Sequence, residues 1–402
     1  MLTRPSAQKR YIPYASAALG MFAVMLVVAA FTGQWPLQAN PYNSFVLQAC
    51  AWLEGRLDLG GDYPWLELAI VNGKYYVSFP PFPSYVMLPF AAVFRYAAPD
   101  NAIAWAVTLL GVLYAVRLYQ LFRQDDRAVF WVMFLYLGTG YLFISMNGFV
   151  WFIAQTMCFT LSLMAIVHAR QGQGCAALTC WACAVGCRPM AAFYLPILVW
   201  LLWQTRGPLT LRQWITRRWY WPLPAMLIAG SYMLLNQARF GSPFEFGHNY
   251  LPEFVRAQNG QFSLSYLKDN LLLLLRLPVQ DAADDHLVFF TGQTMAFWLI
   301  NPMYFCIAAA WGHGLLRRRN LTVLIMLPII IVAHVFMICC HRTLGGWQFG
   351  NRYLLDMMPW LFAAFLLWMP EDDRYVRWSV PLLGWGAALN IIGTVATYRF
   401  WI

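Results

Sequence analysis

The chain has 402 residues, 61% of them hydrophobic and 11% charged, with 20 Trp, 21 Tyr and 29 Phe and a formal net charge of +10. This composition excludes a soluble domain of that size, because the apolar residues fall in runs near the length of a membrane span. Basic residues clustered between such runs mark one face of a membrane protein, so membrane orientation accounts for the charge and no nucleic-acid partner is expected.

The first element is the apolar stretch 12–32, preceded by the basic MLTRPSAQKR. It is too long for a signal-peptide core and no small-residue cleavage pattern follows it, so it is expected to remain as a first span with the N-terminus in the cytoplasm. Further apolar segments lie at 101–121, 128–146, 149–168, 175–187, 189–205, 221–236, 295–313, 321–340, 354–369 and 379–398. With the first they make about eleven spans, several short enough to be tilted or broken. Threading them from a cytoplasmic N-terminus puts Arg117, Arg123, Arg127, Arg206, Arg212, Arg217 and Arg218 inside with Arg4, Lys9 and Arg10, the bias of a cytoplasmic face. Segment 84–97 reads as a half-helix returning to the outer face, because counting it as a span would put Arg317, Arg318 and Arg319 outside. The expected fold is an all-α polytopic membrane protein, one integral domain over 1–402.

Nine Cys are present, and Cys180, Cys183 and Cys187 share a helical face at i, i+3 and i+7. A soft-metal site would use that spacing, but small packing residues in a membrane helix carry more weight, and no disulfide framework is indicated.

Two long segments outside the spans, 33–83 and 237–294, fall on the outer side in this threading, where function is expected to sit. In the first, SFVLQACAWLEGRLDL places Phe45, Val46, Ala49, Trp52 and Leu53 on one face, predicting an amphipathic helix along the membrane surface. LELAIVNGKYYVSF then predicts a short β-hairpin turning at Asn72 and Gly73, with prolines at 80, 81 and 83 ending the ladder.

A first span, an outer loop opening with a helix, then NGKYYVSFPPFPSYVMLP and much later FGNRYLLDMMPWL together resemble the GT-C superfamily of membrane glycosyltransferases. The similarity is to bacterial relatives of the protein mannosyltransferase and lipid A aminoarabinose transferase group. It implies a GT-C-like fold and inverting transfer of a sugar from a polyprenyl-phosphate donor to a glycan, lipid or protein acceptor. It also implies a place in the bacterial inner (cytoplasmic) membrane with the active face periplasmic or extracellular, and an acid in the first outer loop. The chain departs from that pattern at NPYNSF, where Asn40 and Asn43 stand in place of the expected carboxylate.

An Asn amide cannot take the proton of an acceptor hydroxyl, so the base is sought among Glu67, Asp62 and Asp58, with Glu54 also in the loop. Glu67 ranks first and Asp62 second, because they lie just before the hairpin, with Tyr75 and Tyr76 on its second strand. The carrier phosphate calls for fixed positive charge, and Arg188, Arg239, Arg342 and Arg352 all fall at outer span ends, the last followed by Tyr353. An arginine near mid-membrane costs about 2.5–3.5 kcal/mol, so each either snorkels to water or has a partner, and Arg188, between two short apolar segments, snorkels least easily. Gly345, Gly346, Gly350 and Trp347 form a flexible turn that suits a sugar face or an ordinary loop.

In the second loop Glu245 and His248 stand in FGSPFEFGHNY, His248 as a second base, a ligand or a structural residue. No cofactor is required, but Asp281, Asp284, Asp285 and His286 offer divalent-cation chemistry as well as a solvated turn. A transporter or flippase for a lipid-linked sugar is the competing class, and a catalytically inactive GT-C-like binding protein a third. A transporter would carry polar groups at the midplane and often repeated halves, whereas this chain concentrates them in the outer loops.

Overall fold

The computed structural model of the protein describes residues 7–277, 279–281, 286–288 and 295–401. The chain begins with α1 (Ala7–Thr32), followed by α2 (Ser44–Leu53), the hairpin strands β1 (Leu68–Val71) and β2 (Lys74–Val77), and α3 (Phe82–Phe94). Then come α4 (Asp100–Phe122), α5 (Ala128–Leu137), α6 (Tyr141–Ser145), α7 (Val150–Arg170), α8 (Gly174–Val185), α9 (Leu195–Gln204), α10 (Leu211–Arg218) and α11 (Leu223–Phe240). The second long loop carries α12 (Pro252–Val255), α13 (Leu267–Leu275) and the short strands β3 (Val279–Asp281) and β4 (His286–Val288). The chain closes with α14 (Phe297–Ile300), α15 (Met303–Leu316), α16 (Leu321–Cys340), α17 (Met358–Trp368) and α18 (Asp373–Tyr398).

Five helices, over 11–32, 100–122, 150–170, 321–340 and 373–398, are long and apolar enough to cross a membrane. Of these α7 is the most enclosed, packed against both α4 and α8, and it forms the axis of the bundle. The others turn apolar side chains outward, among them Leu19, Val27 and Phe31 of α1, Ile325, Ile329 and Val332 of α16, and Ile392 of α18. Long helices with apolar outer faces are what a lipid solvent selects, since every backbone polar group is satisfied within the helix. The molecule is a helical integral membrane protein with a small β-hairpin.

The shorter apolar segments are helical but interrupted, for local reasons. Segment 128–146 breaks between α5 and α6 at Gly138, Thr139 and Gly140, where the Gly140 N–H donates to the Asn301 side chain at 2.9 Å. A Cβ on Gly386 of α18 would fall 2.8 Å from the Gly138 Cα, so this crossing needs glycine. Segment 295–313 breaks at Asn301 and Pro302, and the Asn301 amide donates back to the Phe297 carbonyl at 2.8 Å. Segments 189–205 and 354–369 each start as a 3-10 turn, over Pro189–Tyr194 and Arg352–Met357. α3 has 13 residues, a length of roughly 20 Å, shorter than a hydrocarbon core of about 30 Å.

The hairpin forms as predicted, with Leu68 opposite Val77 and Val71 opposite Lys74. Asn72 and Gly73 have φ of 51° and 73°, the pair of positive values a type I′ turn requires. α2 differs from expectation. It is no one-sided surface helix, because every residue from 44 to 51 is buried, the polar Ser44 and Gln48 included. Phe45, Val46 and Ala49 join Leu68, Val77 and Phe79 of the hairpin region and Ile153 and Met157 of α7 in a second core. The Gln48 Oε1 accepts from Ser84 Oγ of α3 at 2.7 Å, which pairs one of the polar atoms the helix buries.

Candidate active site

Where the two long loops meet the helix ends, a cavity of about 350 Å³ opens. Glu67, Phe79 and Pro80 come to it from the first loop, and Phe244, Glu245, His248 and Glu253 from the second. Trp151 and Ala154 come from the start of α7, Arg188 from the break after α8, His341 from the end of α16, and Arg352 and Tyr353 from the 3-10 turn before α17.

Glu67 is the last residue before β1, and its carbonyl accepts from Ser78 Oγ, just past β2, at 3.2 Å. The hairpin therefore fixes the backbone on which this carboxylate stands. Its Oε2 accepts from Trp151 Nε1 at 3.0 Å. Burial raises the Glu67 pKa above its ordinary value; the Trp151 donor offsets part of that rise, Glu253 adds to it and Arg352 opposes it.

The same cavity carries two arginines, Arg188 and Arg352. Arg188 Nε donates to Asp356 Oδ2 at 3.0 Å, and Gln155 Nε2 donates to Asp356 Oδ1 at 2.7 Å and to the Arg352 carbonyl at 2.6 Å. Gln155 thus ties α7 to the turn that carries both Arg352 and the buried carboxylate. The guanidinium groups of Arg188 and Arg352 each sit 4.8 Å from the centre of the Tyr353 ring, so one aromatic ring contacts two positive charges. Arg352 is 4% exposed, and its Nε and Nη1 have no hydrogen-bond partner. Buried guanidinium N–H groups without an acceptor are costly, and an anion in the cavity would supply one.

His248 lies edge-on to Phe79 at 5.3 Å and stacks on Phe254 at 6.2 Å. Burial, with the neighbouring His341 adding to it, lowers the His248 pKa to about 4, so the ring is neutral at pH 7. Burial also lowers His341, whose Nδ1 lies 2.8 Å from the Thr343 carbonyl. Glu245 accepts from the Gly247 N–H at 2.6 Å and from the Asn249 amide at 2.7 Å, which gives it a loop-ordering role.

Of the residues predicted from sequence, Glu67, Arg188, Arg352, Tyr353 and His248 line this cavity together. Asp62, Asp58, Arg239, Arg342, Tyr75 and Tyr76 lie outside its lining. Asp62 is exposed, and Asp58 accepts from the Gly60 N–H at 3.1 Å and faces Lys74 at 3.8 Å. Arg239 is buried elsewhere, donating to the Val77 carbonyl at 3.0 Å and Asn236 Oδ1 at 2.9 Å, so it anchors the hairpin. Arg342 is exposed and donates to the Glu253 carbonyl. Tyr75 pairs across the hairpin with Ile70, and Tyr76 packs on Phe240 at 5.6 Å. Trp347 is absorbed among Phe143, Phe152 and Tyr398, while Gly346 of the same turn reaches the cavity. Asn40 donates to the buried Asp100 carboxylate at 3.0 Å.

Asp284 and Asp285 lie outside the described residues, and Asp281 and His286 are described only as strand backbone. Among the described residues, no three His, Cys, Asp or Glu side chains group to hold a metal ion, the cysteine face of α8 included. Sequence reasoning missed Glu253, His341, Gln155 and Asp356. The last two are 201 residues apart and meet only through packing.

No protein-family model matches the chain, and no curated protein does either. Among solved structures the chain is similar to the crystal structure of the Archaeoglobus fulgidus oligosaccharyltransferase in the apo form. The TM-score is 0.45 at 11% identity, over 94% of this chain and 56% of that one, so the chain spans little more than half of its length.

Proposed function

We propose that the protein is a membrane glycosyltransferase that moves a sugar from a polyprenyl-phosphate-linked donor to an acceptor hydroxyl on the outer face of the membrane. The observation that carries this reading is the buried Arg352 guanidinium, unpartnered at Nε and Nη1, in the wall of a cavity shared with the Glu67 carboxylate. A bound anion would give the Arg352 N–H groups their acceptor, and the Glu67 carboxylate would take the proton, as a displacement at a glycosyl phosphate requires.

In the proposed reaction the acceptor oxygen attacks the anomeric carbon and its proton passes to Glu67. The bond from that carbon to the phosphate oxygen breaks, and the polyprenyl phosphate leaves with the electron pair. Arg352, with Arg188 beside Tyr353, stabilises the charge that develops on the phosphate. Asp356 holds Arg188 in place, while the raised pKa of Glu67 makes it a better base than a solvated carboxylate. Phe79, Trp151, Phe244 and Phe254 supply flat apolar faces against which a sugar ring can lie.

The GT-C resemblance, the bacterial inner-membrane location, the cytoplasmic N-terminus and the count of about eleven spans belong to this same reading. The test is to reconstitute the protein in liposomes with a lipid-linked sugar and a soluble hydroxyl acceptor. Attachment of the sugar to the acceptor is the expected result. Movement of the lipid-linked sugar across the bilayer without any attachment would instead assign a transporter.

A further inference from the structure

Toward the other end of α7, where it runs beside α4, lies a second cavity, of about 360 Å³, which the proposed transfer does not use. Tyr14 of α1, Leu113, Tyr114 and Arg117 of α4, His168 of α7 and Gln171 just beyond it form its wall. Trp151 lines the first cavity and His168 the second on the same helix. That separation is roughly 25 Å along the helix axis, near the hydrocarbon thickness of about 30 Å, so the two cavities stand at opposite membrane boundaries.

Arg117 gives the second cavity its charge. With the Gln171 amide turned so that its oxygen faces the guanidinium, Arg117 donates to it from Nη2 at 3.0 Å and Nε at 3.2 Å. None of the ion pairs among the described residues includes Arg117. A neutral amide orients this cation without neutralising it. Arg117 also stands between one and two turns before the end of α4 at Phe122, so it is held back in the helix rather than at its tip.

Among the other polar groups of the wall, Tyr14 Oη donates to Gln120 Oε1 at 2.8 Å, and His168 has two neighbours. His168 Nδ1 lies 2.5 Å from Gln173 Oε1, and its Nε2 lies 3.5 Å from Tyr114 Oη. Leu113 and its neighbours complete the wall with apolar surface. An uncompensated cation and a hydroxyl beside aliphatic side chains, at a membrane boundary, match a phosphate joined to an acyl chain.

We propose that this cavity binds the headgroup of an anionic phospholipid, with Arg117 meeting the phosphate and the acyl chain lying against Leu113. The proposal is independent of the transferase reading, because it uses no residue of the first cavity. The test titrates delipidated full-length protein in detergent with dioleoyl phosphatidylglycerol and counts bound lipid by native mass spectrometry. Arg117→Gln is expected to weaken phosphatidylglycerol binding roughly ten-fold, the weight of a charge-assisted contact, and phosphatidylcholine to bind both proteins weakly. Should Arg117→Gln fail to fold, Leu113→Trp, which fills the cavity and keeps the cation, is expected to give the same loss. Unchanged phosphatidylglycerol binding in the folded variant overturns the proposal. Displacement of the lipid by millimolar inorganic phosphate overturns it too, because the site would then take free phosphate rather than a lipid.

Discussion

Arg188 and Asp356 form a buried ion pair, Nε to Oδ2 at 3.0 Å, with the carboxylate side chain 1% exposed and the arginine side chain 19% exposed. The pair joins the break after α8 to the turn before α17, and its carboxylate is shared with Gln155 of α7. Removing one partner leaves the other charge uncompensated. Asp356→Ala is therefore expected to lower stability by about 3–5 kcal/mol, and a double variant with Arg188→Met to recover much of that loss. Thermal unfolding in detergent measures both; a double variant no more stable than Asp356→Ala contradicts the pairing.

Arg352 makes the opposite prediction for stability. Its guanidinium is buried with unpartnered N–H groups, so Arg352→Met removes a desolvation cost and is expected to hold or raise the melting temperature. The same change is expected to weaken binding of a polyprenyl phosphate at least ten-fold, the scale of one charge-assisted hydrogen bond. Loss of both stability and binding would mean that Arg352 is a structural residue.

His248 sets a stability trend at acid pH. Its pKa falls from an ordinary 6.5 to about 4 in the folded protein, so between those values the unfolded chain binds a proton that the folded one does not. Stability from this group is present above about pH 6.5 and is lost as pH falls toward 4. His248→Gln is expected to flatten the fall in melting temperature across that window, and an unchanged slope contradicts it. Glu67, whose pKa is raised, acts in the other direction, losing its contribution as pH rises through its folded pKa.

Glu67 also shapes the rate profile. As a base it works deprotonated, so the transfer rate should fall as pH drops through its raised pKa, above the range of a solvated carboxylate. The residual rate of Glu67→Gln should lack that limb. A profile identical in the two proteins would assign the limb to another group.

Much of the local structure was legible because its causes are local. Asn72 and Gly73 specify a turn through their backbone freedom, and the long apolar runs specify helices through hydropathy alone. The breaks at Gly138 and Pro302 were missed, because an apolar run continues across both and hydropathy does not register a lost N–H or a close crossing. The surface helix proved buried because a one-sided apolar pattern cannot show that the polar face also has partners, here Ser84 against Gln48. Of the four span-end arginines only Arg188 stands apart in the sequence, as the one that snorkels least easily. Packing separates them, giving Arg239 the Val77 carbonyl and Arg342 the Glu253 carbonyl while Arg188 and Arg352 face the cavity. Glu253 and His341 had no sequence signal, since each reaches this region through contacts between distant segments; Asp356 lies within FGNRYLLDMMPWL, but its partners Arg188 and Gln155 are met only through packing.

The proposed role of Glu67, taking the acceptor proton in a sugar transfer, is tested by single-turnover transfer from a polyprenyl-phosphate-linked sugar to a hydroxyl acceptor. Glu67→Gln keeps the size of the side chain and removes the base. The rate is expected to fall at least about 100-fold with donor binding retained, while Asp62→Asn and Asp58→Asn transfer at the unaltered rate. Full transfer by Glu67→Gln would contradict that role.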